Sequence, residues 1–272
     1  MLEHGADPGV RDHDGKTPLH AASREGKLKF ARQLLELGVD VNSHENQGRT
    51  PLHDIRGRSD DVGLLLLEHG ADLGVRDDDG QTPLHAALRW GWCKFARWLL
   101  ELGSDVNSQD NEGRTPLHVI EWWGDDDAVP LLLLEGGADQ GVRDNDGCTP
   151  LHAIARWGTS KVTQRHLELG RDINSRFYGD QTPIDDAGLW CQDVSLLLLK
   201  RGADPGVRDN DGQTPLHVAS REGNLSVAQQ LLKFDVNVNS HDSQGRTPFQ
   251  IAVEGGHDKV QKLLLEHGAE RH

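Results

Sequence analysis

Apolar residues along this chain fall into short, helix-length clusters that return at a nearly constant interval. The first full cluster is Leu28, Phe30, Ala31, Leu34 and Leu35, steps of three and four that predict one buried face of a helix over roughly Leu28–Leu37. Ahead of it, Thr17 predicts an N-cap and Pro18 a first helical residue, where a missing N–H costs nothing. A first helix is therefore expected through His20-Ala21-Ala22 to about Glu25, ended by Gly26, with small alanines allowing close approach of the second helix. Gly38 predicts a left-handed cap. Val39–Asn42 and the Asn46-Gln47-Gly48 turn then lead as an extended finger into Thr50.

The unit repeats. Its threonines stand at Thr17, Thr50, Thr82, Thr115, Thr149, Thr182, Thr214 and Thr247, at steps of 33, 32, 33, 34, 33, 32 and 33. Six copies read Thr-Pro-Leu-His, while Thr182–Asp185 and Thr247–Gln250 are degraded. A fixed period of this size predicts a solenoid, in which each unit buries its apolar face only against its neighbours. The copies also alternate. Those at Thr17, Thr82, Thr149 and Thr214 follow Val-Arg-Asp-x-Asp-Gly, and those at Thr50, Thr115 and Thr247 follow Asn-Ser-x-x-x-x-Gly-Arg, as if a two-repeat module had been duplicated. The distance from motif Thr to closing Gly is 21 for Thr17–Gly38, 20 for Thr50–Gly70 and Thr182–Gly202, and 22 for Thr115–Gly137, so the helix–helix connection is expected to vary.

Thr-Pro-Leu-His, the following Ala-Ala, the double Leu and the closing Gly-Ala-Asp or Gly-Val-Asp resemble the ankyrin repeat over essentially all 272 residues. The resemblance implies a mainly α fold: a β-hairpin finger and a helical hairpin per repeat, stacked into a curved, right-handed solenoid. One domain over 1–272 is expected, with a truncated repeat at 1–10 and repeats starting near 11, 44, 76, 109, 143, 176, 208 and 241. Met1–Asp7 matches the tail of a second helix, which suggests the C-terminal piece of a longer protein.

Charge narrows the partners. With 44 acidic and 29 basic residues, the formal charge is −15, which argues against nucleic acid or an anionic membrane surface. No apolar run approaches a membrane span, and no signal-peptide pattern opens the chain. Cys93, Cys148 and Cys191 form no CxxC pair, which reads as reduced thiols in an intracellular, cytoplasmic protein.

Catalytic and metal readings fail on the residues. The motif histidines have no matching acid in each copy, and neighbouring repeats lie a helix-packing distance apart, about 8–10 Å, too far to share a zinc ion; the resemblance implies that they hydrogen-bond within and between repeats. Asp12–Gly15, Asp77–Gly80, Asp144–Gly147 and Asp209–Gly212 carry a calcium-loop core, but the position of its closing Glu holds Ala21, Ala86, Ala153 and Val218. These read as turns. Asp60-Asp61 and Asp125–Asp127 precede second helices, where negative charge suits the helix dipole. No phosphate loop or HExxH is present, so no enzyme, cofactor or metal is expected.

The tryptophans stand out. Trp90, Trp123, Trp157 and Trp190 each lie eight residues after a motif Thr, a place that holds Glu25, Arg58, Glu222 and Gly255 in the flanking copies. Arg89, Arg156 or Trp122 precedes three of them. The resemblance places these positions on the inner groove, where partners are contacted, and Trp and Arg dominate binding hot spots. In the sixth repeat Gly179 is displaced by one place, which puts Phe177 and Tyr178 at the finger tip, another contact position of the family. Asp185 replaces the motif His, His166 stands where Leu34 does, and Asp235 occupies the place of Gly38. Trp98 reads as helix packing. The expected function is a monomeric, non-enzymatic module that binds a protein or peptide through a Trp/Arg strip over repeats three to six. The alternative is a scaffold or spacer of a larger protein, with the tryptophans as internal packing.

Overall fold

The computed structural model describes residues 7–57, 59–120, 127–157, 159–170, 172–190 and 192–271, with the side chains of 188–190 and 192 set aside. Among the described residues there are fourteen α-helices and no strand, so the fold is mainly α. The chain divides into two compact units, Met1–Glu121 with Glu135–Ala138, and Trp122–Leu134 with Asp139–His272.

In the first unit, α1 (Pro18–Glu25) and α2 (Leu28–Glu36) form a helical hairpin, followed by α3 (Asp60–Glu68), α4 (Pro83–Arg89) and α5 (Cys93–Glu101). Thr17 is extended at φ −89°, ψ 165°, Pro18 follows it, and Gly26 ends the helix at φ 66°, as the sequence predicts. α2 buries Ala31, Leu34 and Leu35. Phe30 departs from the expected core face: it is 37% exposed, while its counterpart Phe95 on α5 is 1% exposed. The neighbour makes the difference, because Gly63 of α3 leaves room for the Phe95 ring; a Cβ there would sit 2.6 Å from it.

After Thr50 the first helix shrinks to one 3-10 turn, Pro51–Asp54, and the chain extends at Ile55 (ψ 136°). Asp54 and Ile55 stand where α1 has Ala21 and Ala22, and Gly57 where it has Arg24; Asp, Ile and Gly propagate a helix poorly. The stretch after Thr115 likewise makes only a turn.

The second unit holds α6 (Ala128–Glu135, up to Leu134), α7 (Pro150–Trp157), α8 (Ser160–Glu168), α9 (Pro183–Trp190), α10 (Gln192–Lys200), α11 (Pro215–Arg221), α12 (Leu225–Leu231), α13 (Pro248–Glu254) and α14 (Asp258–Glu266). One apolar core runs from Leu151 and Ala155 through Ile184, Leu198, Leu216 and Leu231 to Leu264. Asp235 stands in the left-handed region at φ 46°, where Gly38 stands in the first unit.

The fingers are hairpin turns without strands. Asp12 N–H donates to Lys16 O and Gly15 N–H to Asp12 O, both at 3.0 Å. The Asp12 carboxylate accepts the backbone N–H groups of Asp14 (3.0 Å) and Lys16 (2.8 Å). The two alternating finger sequences staple differently. Arg11, Arg76, Arg143 and Arg208 each donate to their own finger's Gly carbonyl and to a carbonyl 33 residues on. Asn42, Asn174 and Asn239 instead clasp the next closing Gly carbonyl and accept the N–H two residues beyond it. The two-repeat alternation is thus an alternation of two hydrogen-bonded clasps.

Candidate functional site

The motif histidines are consumed by the fold. Thr17 N–H donates to His20 Nδ1 at 3.1 Å, and His20 Nε2 meets Arg49 O at 3.1 Å. The same pattern joins His53 to Gln81 O (3.0 Å), His85 to Arg114 O (3.1 Å) and His217 to Arg246 O (3.2 Å). Because Nδ1 accepts an N–H, the neutral ring carries its proton on Nε2, where it donates to the next repeat's carbonyl. Burial pushes the pKa of His53, His85 and His152 down to about 4. In His20, His53, His85 and His217 both ring nitrogens are engaged within the fold. The Asp-x-Asp-Gly segments spend a carboxylate on their own turn, as at Asp77, Asp144 and Asp209. No cluster of three His, Cys, Asp or Glu that could hold a metal ion occurs among the described residues. Burial, aided by Asp144, pushes the Cys148 thiol up to about 12, which leaves it un-ionised and a poor nucleophile; Cys191 lies outside the described residues.

The two complete Arg-Trp pairs that the structure describes differ. In the first unit Arg89 ends α4 and Trp90 caps it. Trp90 is 64% exposed. Both line a pocket of about 270 Å³ with Arg49, Asp78, Asp79 and Gln81. Arg49 is occupied, donating to His53 O at 2.8 Å and lying 3.6 Å from the Asp54 carboxylate. In the second unit Arg156 and Trp157 end α7. Arg156 Nε and Nη2 both donate to Asp186 Oδ1 (3.1 and 2.5 Å), and Trp157 is 37% exposed. Trp122 and Trp123 lie outside the described residues, and Trp190 ends α9 with its side chain likewise outside them. Trp98 is half-buried beneath the Lys94 ammonium, 4.9 Å from the ring centroid.

The sixth finger separates its two aromatics. Phe177 occupies the turn position that an acid holds elsewhere: its N–H donates to Gln181 O (3.1 Å), and Asp180 N–H donates back to Phe177 O (2.8 Å). Asp180 therefore takes the glycine's place, at φ 59°, directly after Gly179 at φ 82°. With no carboxylate to cap the turn, Phe177 is half-buried and meets the His152 ring edge-on, centroids 4.8 Å apart. His152 Nε2 makes no hydrogen bond of ordinary geometry. Tyr178 alone points outward, 81% exposed. Asp185 imitates half of the missing histidine, its Oδ2 accepting Thr182 N–H (2.9 Å) and Oγ1–H (2.8 Å). Burial raises its pKa to about 6.

Acids thirty residues on decide the fate of Arg24 and Arg156. Asp54 takes Arg24 at 3.3 Å just as Asp186 takes Arg156; a 30-residue Arg–Asp spacing was the available signal.

The family model for ankyrin repeats (3 copies) matches residues 1–77, 55–144, 119–209 and 189–271, nearly the whole chain. Over 37 residues the chain is 51% identical to the potassium channel AKT1 of Arabidopsis thaliana, a match covering 14% of this chain and 4% of the channel. The chain thus spans a small part of that relative's length. No helix among the described residues is long and apolar enough to cross a membrane.

Proposed function

The chain belongs to the ankyrin-repeat family, whose members are in general protein–protein interaction modules, and we propose that it binds a partner protein or peptide through its inner-helix Trp and Arg residues. The observation that carries this reading is Trp90, 64% exposed at the end of α4 beside a pocket of about 270 Å³. A large aromatic left in water has a cost unless something covers it, and Trp and Arg are among the residue types most enriched in hot spots. Trp122, Trp123, Trp157 and Trp190 extend the reading along the chain, with Arg156, Phe177 and Tyr178 as further contacts. Of these, Tyr178 has the exposure a contact residue needs, whereas Arg156 and Phe177 are already engaged inside the fold. The protein acts as a monomeric, non-enzymatic adaptor in this reading.

One observation favours the alternative, a scaffold or spacer: in the second unit Arg156 is tied to Asp186 and Trp157 is less exposed than Trp90. The test is a pull-down with wild type beside the Trp90/Trp123/Trp157/Trp190→Ala variant, after circular dichroism shows equal helicity. A partner lost from the variant supports binding through the tryptophans. Identical captures would move them to internal packing.

A further inference from the structure

The arginine that ends the first helix of alternate repeats takes an acid thirty residues on where the sequence supplies one. Arg24 at the end of α1 takes Asp54, thirty residues on, at 3.3 Å. Arg156 at the end of α7 takes Asp186, again thirty residues on, through two N–H groups. In both cases the carboxylate is nearly buried (side-chain exposure 4%) and the guanidinium remains about two-fifths exposed. At α4 the corresponding position is Val119, which is buried and cannot accept a hydrogen bond. At α11 it is Ile251, and Arg221 turns instead to Gln213 Oε1 (2.8 Å) and Glu222 Oε1 (3.4 Å). Arg89 has no such substitute: among the described residues it makes no hydrogen bond or ion pair, and it lines the pocket with exposed Trp90.

We propose that the partner supplies the missing carboxylate, an Asp or Glu side chain that docks on Arg89 with its flanking residue against Trp90. This rests on the binding reading above and names the chemistry of the guest. A guanidinium accepts a carboxylate through paired, charge-assisted N–H···O bonds, and the adjoining indole excludes water from them. Asp78 and Asp79 line the same pocket and have no side-chain hydrogen bond or ion pair among the described residues. They repel a run of acids, so the fitting segment has one carboxylate beside neutral or basic residues rather than an acidic tract. Binding should weaken with salt, since both charges are at the surface.

The test uses the whole chain and a random peptide library displayed on phage. Peptides selected on the wild type should be enriched in Asp or Glu at one position. A synthetic winner should bind Arg89→Ala about tenfold or more weakly, the loss of one charge-assisted hydrogen-bonded contact, and Arg89→Lys less tightly than wild type but more tightly than Arg89→Ala. Val119→Asp should also lose it, because it offers Arg89 the internal partner that Arg24 and Arg156 have. Should Val119→Asp unfold, Arg89→Glu serves in its place and should reverse the preference toward Lys or Arg. A library that yields no binder, or winners without an acid, overturns the inference. So do winners rich in Lys or Arg that are lost on Asp78→Asn/Asp79→Asn. If Trp90→Ala abolishes binding while Arg89→Ala does not, the inference falls and the tryptophan reading stands; if neither matters, both fall.

Discussion

The ends of α4 and α7 carry the same three residues, Arg-Trp-Gly, at the same distance from a Thr-Pro-Leu-His start. Yet one pair stands open beside a pocket and the other is tied down. Arg156 is held by Asp186 and Trp157 is half-covered, whereas Arg89 is held by nothing described and Trp90 is mostly exposed. The helix that bears the pair is not what differs. The difference is one residue in the following repeat, Val119 against Asp186, and a solenoid makes such a residue decisive because each repeat meets only its neighbours.

Two helix starts, that of α4 at His85 and that of α9 at Asp185, should also respond to pH with opposite sign, which is the largest expected effect, while His152 at α7 follows His85. His53 and His85 have pKa values of about 4 when folded against 6.5 ordinarily. Their stabilising share is complete above pH 6.5 and lost as pH falls toward 4, about 2 kcal/mol per histidine at pH 5. Asp185 titrates near 6 instead of 3.8, so the folded state holds its proton better. Its share is complete below pH 3.8 and lost as pH rises through 6, which between pH 7 and pH 5 recovers about 1 kcal/mol near α9. Amide hydrogen exchange at pH 7 and 5 should show protection falling at α4 and falling less, or rising, at α9. Equal losses at both would break the comparison.

Next in size is the difference between two histidines. His85→Ala removes a cap and a bond to Arg114 O, at about 2–3 kcal/mol. His152→Ala removes a cap but no Nε2 bond of ordinary geometry, and should cost about 1 kcal/mol less. Denaturant midpoints at pH 7 measure both.

Asp186→Val would rebuild α7 in the image of α4. The charge of Asp186 is disfavoured by burial and only partly compensated by Arg156, so a stability change within about 1 kcal/mol is expected. The variant should acquire affinity for the acidic peptides that select Arg89. Smallest of all is the effect of Trp90→Phe on stability, within about 0.5 kcal/mol for so exposed a side chain. Its effect on fluorescence should be large: it removes the component most readily quenched by acrylamide, whereas Trp157→Phe should leave that component in place.

The period, the Thr-Pro helix starts, the left-handed glycine caps and the finger turns were all legible in the sequence, because each rests on contacts within a few residues. Thr17 and His20 are one helical turn apart, and Asp12 caps a turn that closes at Lys16. The histidine links to the following repeat came from the family resemblance rather than from residue chemistry. Phe177 shows where local reading stops. Its place at the finger was evident from the displaced glycine, but its ring turns in toward His152, because the missing acid leaves a turn uncapped and an aromatic edge available. The shortened helix after Thr50 follows from poor propagation by Asp, Ile and Gly together with the ties of Asp54 to Arg24 and Arg49.

By itself, then, the sequence determined the fold class and the repeating hairpins, since caps, helical periodicity and turns depend on neighbours along the chain. Only the tertiary structure decided which conspicuous side chains remain available. Arg24, Arg156 and Phe177 find partners roughly 25 to 30 residues away, while Arg89 has a valine instead of an acid at that spacing and Trp90 stays mostly exposed. Availability depends on what packing brings near, and burial and ion pairing exist only once the repeats are stacked.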